Sequence, residues 1–422
     1  MATIKDSVHD HIEISGVAEA LLDTPTVQRL RHISQLGTVQ LVYPSANHTR
    51  FEHSLGVYHL ARGAVEGFDL DADTAAHVRA AALLHDAGHG PYGHQTEGII
   101  RRATGRDHDD VAWLLTDADR EVCQVLERNG LDPERVASLI AGEGGLGALV
   151  SGELDVDRMD YLVRDAHHTG VPYGTIDHGR LIRELTFVDG ELVLAEGNVQ
   201  TAESLLLARA LMNPTVYQHH VARIAKSMLR RGTEELLAAT DTTAETLRRW
   251  DDSDLLVALR QCEATAAYAQ RLSQRDLYKR AVWARLGAVP PGTVEVGHEG
   301  ERQAEREISD RAGVETHEVV VDVPPRPALK ESATEVVVDG NMSSVLAGLG
   351  LGVVRERKKH RTSFVDGNVR IDIDTYPKIP TFLEIEADSK EKIFSMAEKL
   401  GFSKKDCLDW HSDKLFEHYG QR

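Results

Sequence analysis

One segment constrains this chain more than any other: AALLHDAGHGPYGH, residues 81–94. An apolar run with the pattern of a helix passes directly into His85 and Asp86, and His89 and His94 follow among glycines at 88, 90 and 93. Adjacent residues at a helix end can both turn toward one ion, and His89, four positions after His85, shares its face. The glycines break the helix and let backbone approach a ligand closely. Imidazole and carboxylate together suit divalent metals such as Mn, Fe, Co, Ni or Zn. A lone His-Asp pair would ordinarily be an exposed helix end. Four such groups among three glycines fit a binding site better.

The surrounding pattern is helical. Thr24 caps and Pro25 opens a helix in TPTVQRLRHISQL. HSLGVYHLARGAVEGF, TAAHVRAAALLHDAG, the long stretch from Glu203 to Leu237, and DSDLLVALRQCEATAAYAQRL also carry apolar residues at helical spacing. Asp189-Gly190 between apolar alternations predicts a hairpin, GEGGLG (142–147) reads as a flexible loop, and HEVVVDVPP reads as a strand. The expected fold class is mainly α, a helical bundle with small β-hairpins, followed by a small α+β segment.

Composition marks a junction. Residues 1–329 hold three lysines and residues 330–422 hold ten. Pro324, Pro325 and Pro327 punctuate the change. We therefore expect a catalytic domain over 1–230, its helical extension over 231–325, a linker over 326–341 and a separate segment over 342–422. The formal net charge is −19, which argues against general nucleic-acid binding and against anionic membranes. Three cysteines without CxxC spacing argue against disulfides and fit a reducing, cytoplasmic setting. The N-terminus lacks an apolar signal region, and no apolar run approaches membrane-spanning length.

Two further segments offer ligands. NHTRFEHSLGVYHLA supplies His53 with Arg50 nearby, and DVDRMDYLVRDAHHTG supplies Asp155, Asp157, Asp160 and Asp165. Taken alone, the second could be a plain solvated acidic face.

Taken in order, His…His-Asp…Asp resembles the signature of the HD-domain metal phosphohydrolases. VHDHIEI, DTPTVQRLRHISQLG, RFEHSLGVYHLA, LLHDAGHGPYGH and DVDRMDYLVRDAHHTG are similar to the deoxynucleoside-triphosphate triphosphohydrolase branch, which includes dGTPase-like enzymes. The likeness runs over about residues 4–325. It implies one divalent ion (Mn, Fe, Mg, Co, Ni or Zn) held by His53, His85, Asp86 and Asp157. It implies a catalytic role for His89, His108 and Asp157, and a phosphate- and sugar-side contact for His94. Arg50, Arg158 and Arg209 match groups that hold the triphosphate. Arg158 stands where the vertebrate enzyme of the branch has lysine, which keeps charge and changes geometry. Gln35 and Leu36 match residues beneath the deoxyribose, Tyr161 and Asp165 its 3′ side, and Tyr217 an aromatic wall against a 2′-hydroxyl.

The same resemblance maps Asp23, Gln28 and Arg31 onto an activator site for dGTP or GTP between subunits. The family's upstream basic residue falls on Ala2 here, and the QRLR segment equally fits a helix packed on the core; both readings stay open. The implied activity is hydrolysis of a dNTP to deoxynucleoside and inorganic triphosphate by a homo-oligomer, dimer or tetramer. The alternatives are another HD phosphohydrolase, such as a nucleotidase or phosphodiesterase, and a non-catalytic module that binds nucleotides or single-stranded nucleic acid. The last segment resembles the second half of a CYTH domain, with Arg357, Lys358, Arg361, Arg370, Asp374, Glu384 and Glu386 at matching positions. The family's opening ExExK strand is absent, so no independent triphosphatase activity is expected from it.

Overall fold

The computed structural model describes residues 2–285, 298–322, 333–338, 360–366, 369–375, 380–387, 389–405 and 407. The chain divides into two compact units, Met1–Val345 and Leu346–Arg422.

The first unit is mainly α. A hairpin of β1 (Ala2–Asp6) and β2 (Asp10–Ile14) opens it. α1 (Arg50–Gly67) starts at a capping box in which the Thr49 amide donates to Glu52 at 2.6 Å. α2 (Ala72–Leu84) starts at Asp71, whose carboxylate accepts from the Thr74 amide. α3 (His94–Thr104) follows the glycine turn. α4 (Val156–Thr169) is capped by Asp155 and ends at left-handed Gly170. α1 packs against both α2 and α4, and their apolar faces form one large core that includes Leu55, Tyr58, Leu83, Met159 and Leu162.

The Asp189-Gly190 hairpin forms as expected, between β3 (Leu185–Val188) and β4 (Glu191–Leu194). Both turn residues have positive φ, 53° and 83°, as a two-residue turn of this hand requires. A Cβ on Gly190 meets nothing within 4 Å, so Gly190→Ala tests backbone strain alone. It should cost about 1 kcal/mol in chemical denaturation. An unchanged midpoint would show that the turn tolerates a side chain.

The long helix expected over 203–237 is broken. α5 (Val199–Met212) ends in a π turn, Asn213–Tyr217, and α6 (His220–Ala239) follows it. Pro214 supplies no amide to continue the ladder. The stretch 252–272 likewise forms two helices, Asp252–Gln261 and Ala266–Gln274. TPTVQRLRHISQL forms only the Pro25–Arg29 helix, which Thr24 caps, and a 3-10 turn to His32. GEGGLG is not a loop. Gly144–Val150 is helical, and a Cβ on Gly147 would sit 2.5 Å from Gly142 backbone, so this glycine serves close packing.

The domain boundary expected at 230/231 falls inside α6. That helix joins Ile99 and Ile100 of α3 to Leu247, Leu255 and Tyr268 in a second core, so no division exists there. α7 (His298–Ala312) lies against a sheet of β5 (Lys279–Arg285), β6 (Val319–Asp322) and β7 (Ala333–Val338), in the order β5-β7-β6. β7 occupies part of the expected linker, which is therefore not simply a connector. The prolines at 324–327 lie outside the described residues.

The second unit contains antiparallel β8 (His360–Asp366), β9 (Val369–Thr375) and β10 (Phe382–Glu386), with β9 central. α8 (Lys390–Lys399) is capped by Ser389 and packs Met396 on Val369 and Ile371. The register sets Arg361 opposite Asp374, Arg370 opposite Glu386 and Glu384 opposite Asp372. Arg357 and Lys358 lie outside the described residues.

Candidate active site

α2 ends at His85, and the chain tightens into a 3-10 turn over His85–Gly88. His53 from α1 and Asp157 from the first turn of α4 meet it. His53 Nε2 lies 3.2 Å from His85 Nε2 and 2.9 Å from Asp157 Oδ1. The donor atoms of these three residues all lie within 4.8 Å of one another.

The far sides of the rings fix their protons. His53 Nδ1 donates to Asp160 Oδ2 at 2.7 Å. His85 Nδ1 donates to the Ala82 carbonyl at 2.9 Å, an oxygen that can only accept. With Nδ1 holding the proton, a neutral ring at either residue turns its Nε2 lone pair toward the same point, where a bound cation would replace the proton that His53 shares with Asp157. Atoms bound about 2.1 Å from one cation stand roughly 3–3.5 Å apart; two of the three separations here are 3.2 and 2.9 Å, and the third, His85 to Asp157, is 3.7 Å. The set fits a divalent metal ion. Its field is strongly cation-seeking. Burial alone would lower the His53 pKa, but hydrogen bonds to Asp157 and Asp160 push it up to about 10. Burial opposes the Asp157 charge, yet His53 and His85 hold that carboxyl well below its ordinary range.

Asp86, the expected fourth ligand, stands beside this trio. Its Oδ1 is 3.6 Å from His85 Nε2 and its Oδ2 3.9 Å from His53 Nε2. Oδ2 accepts from Arg50 Nη1 at 2.8 Å, and Oδ1 is 3.2 Å from His89 Nε2. Asp86 thus adjoins a second group, His89, His94 and His108, whose ring nitrogens also cluster within 4.8 Å. One carboxylate organises that group. Glu97 accepts from His94 Nδ1 at 2.7 Å and from His108 Nδ1. The His108 ring stacks on His89 at 4.1 Å. Burial opposes a charge on His108, but Glu97 outweighs it and raises the pKa. His89 goes the other way, held well below the imidazole range by burial and by the Arg50 and His108 charges. Two stacked imidazoles are thereby given opposite proton preferences.

A third group lies around Asp165. Its Oδ1 pairs with His48 Nε2 at 2.8 Å, and its Oδ2 accepts from Tyr217 OH at 2.8 Å. Tyr161 stands edge-on to Tyr217 and to His53, at 6.2 and 6.4 Å. The π turn therefore delivers Tyr217 to α4. The Gln35 amide donates to the His48 carbonyl, and the Leu36 carbonyl accepts from Gln95. Of the three arginines, Arg50 is buried against Asp86, Arg158 Nη1 pairs with Asp155 at 2.7 Å, and Arg209 is exposed, 3.9 Å from Glu153. At the expected activator set, Gln28 donates to the Leu22 carbonyl and accepts from Arg31, which lies over the Phe51 ring, while Asp23 is exposed.

Sequence reasoning missed the support. Behind His53, Asp160 also accepts from His9 at 2.6 Å and from Arg164 at 2.8 Å, and Arg164 reaches Asp6 at 2.9 Å. Glu97 was legible as an i,i+3 partner of His94 on α3.

Comparison with known proteins decides the family. The HD domain family model matches residues 50–165, and the HD associated region matches 176–348. The chain belongs to the HD-domain family. This HD-domain protein is 35% identical over 288 residues to an uncharacterized protein of Methanocaldococcus jannaschii, covering 67% of this chain and 60% of that one. It is 30% identical over 285 residues to the deoxynucleoside triphosphate triphosphohydrolase SAMHD1 of Homo sapiens, covering 57% and 45%. The HD-domain chain spans about half the length of the curated relatives it matches. A solved structure of a hypothetical protein from Aquifex aeolicus aligns with TM-score 0.66 and 26% identity, over 80% of this chain and 96% of that one. A phosphohydrolase from Bacteroides thetaiotaomicron shares the fold, with TM-score 0.65 and 24% identity over 80% and 99%. Among the described residues of the HD-domain protein, no helix is long and apolar enough to cross a membrane.

Proposed function

We propose that this protein is a metal-dependent phosphohydrolase that converts a deoxynucleoside triphosphate to deoxynucleoside and inorganic triphosphate. The observation that carries the reading is the junction at Asp86 of a cation-seeking trio with a Glu97-anchored histidine pair. His53, His85 and Asp157, with Asp86 beside them, would hold the divalent ion. When bound, that ion supplies a Lewis acid for a phosphate oxygen and an acidified water.

The chain's own residues do the rest. His108, whose proton is favoured by Glu97, donates to the leaving 5′-oxygen. His89 stays neutral and orients His108 by stacking. Arg50, with Arg158 and Arg209 at the rim, provides positive charge for the polyphosphate. Asp165 and Tyr217 form the sugar wall, and Tyr161, Gln35, Leu36 and His94 complete it. Support for the nucleotide comes from the likeness to a deoxynucleoside triphosphate triphosphohydrolase.

The test is a panel of dNTPs and NTPs with Mg, Mn or Co, with and without dGTP, resolved by chromatography. Deoxynucleoside plus triphosphate, absent in Asp86→Ala, is the expected result. Stimulation by dGTP that is lost in Arg31→Ala would support an activator site at Asp23, Gln28 and Arg31. No turnover under any metal would overturn the dNTP reading.

A further inference from the structure

Two arginines that belong to none of these groups hold the turns carrying His89 and His108. Arg29 Nη2 donates to the carbonyls of Ala87 at 3.0 Å and His89 at 2.7 Å, and its Nη1 to that of Trp250 at 2.9 Å. Arg248 Nε donates to the Gly88 carbonyl at 3.0 Å, and its Nη2 to those of Asp107 at 2.5 Å and Asp110 at 3.0 Å. Three consecutive carbonyls of the His89 turn and two that flank His108 are thus tied to two guanidinium groups. The turns touch: a Cβ on Gly88 would come within 2.1 Å of the His108 carbonyl.

The choice of residue is physically expensive. Arg248 is 4% exposed. Among the described residues, neither arginine forms a salt bridge with a carboxylate. Arg248 also lies over the Trp113 ring at 4.7 Å, but a guanidinium withdrawn from water and held by carbonyl dipoles and a ring face loses hydration without a direct ion pair in return. The His89 ring explains what is gained. Its Nδ1 has no partner, and its Nε2 lies 3.2 Å from Asp86 Oδ1 without the alignment of a full hydrogen bond. Its place rests on its own backbone and on contacts with His108, His94 and Asp86, and the two arginines hold the turns that carry His89 and His108.

We propose that Arg29 and Arg248 are positioning residues that keep His89 and His108 in register for proton transfer. This rests on the reading above of that pair as the acid-base machinery. A lysine keeps the charge but cannot fork between carbonyls, so Arg248→Lys and Arg29→Lys are the decisive variants. Leu247→Ala is the control; Leu247 is fully buried on the same short helix, in the second core.

In full-length, metal-loaded protein, kcat should fall roughly tenfold to a hundredfold in each lysine variant, the scale of a small misplacement of catalytic groups. KM and bound metal should stay within about twofold, because binding and chemistry separate in such a change. Leu247→Ala should lower the unfolding temperature and leave kcat within about threefold. Amide exchange should accelerate in peptides covering 86–94 and 105–112 in the lysine variants. Unchanged kcat, or an equal loss in Leu247→Ala, would overturn the proposal. If wild-type protein turns over no dNTP, the proposed reaction fails, and the exchange result alone decides whether the arginines hold the turns.

Discussion

Asp157→Ala should leave the protein folded and unable to retain a divalent ion. Asp157 supplies the single carboxylate oxygen that closes on two imidazole nitrogens, 2.9 Å from His53 and 3.7 Å from His85. Losing an outer-shell partner costs roughly 10–100-fold in metal affinity, and a direct donor should cost more. Turnover should drop by at least roughly a thousandfold, beyond the loss of one transition-state donor. Two measurements check this independently of any substrate. Elemental analysis of dialysed protein should find the ion in wild type and not in the variant. Added Mn should raise the wild-type unfolding temperature by mass action and leave the variant unmoved. A variant that still binds and is still stabilised would move the metal site elsewhere.

Arg164→Met should produce the largest loss of stability. Arg164, Asp160 and Asp6 are all buried, and the guanidinium binds both carboxylates. Removing it strands charge in the interior, which costs about 3–5 kcal/mol at pH 7. The pH dependence carries a sign. Burial alone would raise the Asp6 pKa, but Arg164 and the amides of Val8 and His9 lower it overall. Its contribution is thus complete above the unfolded value of about 3.9 and is lost as pH falls through the lower folded value. Without Arg164, burial is left less opposed, and protonation favours the folded state. The gap between wild type and variant should therefore narrow between pH 7 and pH 4.5 in urea titrations. A gap below about 1 kcal/mol at pH 7, or one that does not narrow, would mean that the cluster is solvated.

Legibility in the sequence followed distance along the chain. The 81–94 turn, the Thr24 cap and the Asp189-Gly190 hairpin are local, so composition and spacing expose them. His53 and Asp157 are candidate ligands of their own segments, and only the family resemblance joins them to one ion, because nothing in either segment points to the other 104 residues away. The network of Asp6, His9, Asp160 and Arg164 joins residues more than 150 positions apart and leaves no periodic trace. The two helix breaks differ instructively. Pro214 was a visible signal, whereas Cys262–Thr265 contains neither proline nor glycine, and the stop there is set by Thr265 bonding back to the Leu259 carbonyl at 2.8 Å. The GEGGLG segment misled because glycine serves close packing as readily as flexibility.

The second core bears on how such a chain can be handled as a cassette. Every proposed metal donor lies before residue 158, so a fragment ending near 230 looks self-sufficient on paper. Cutting there would sever α6 mid-helix and bare Ile99, Ile100 and Ile224, which Leu247, Leu255 and Tyr268 cover. It would also discard Arg248. Transplanting the catalytic chemistry into a fusion, or trimming it for crystallisation, therefore requires carrying the helices beyond the recognised HD segment as well.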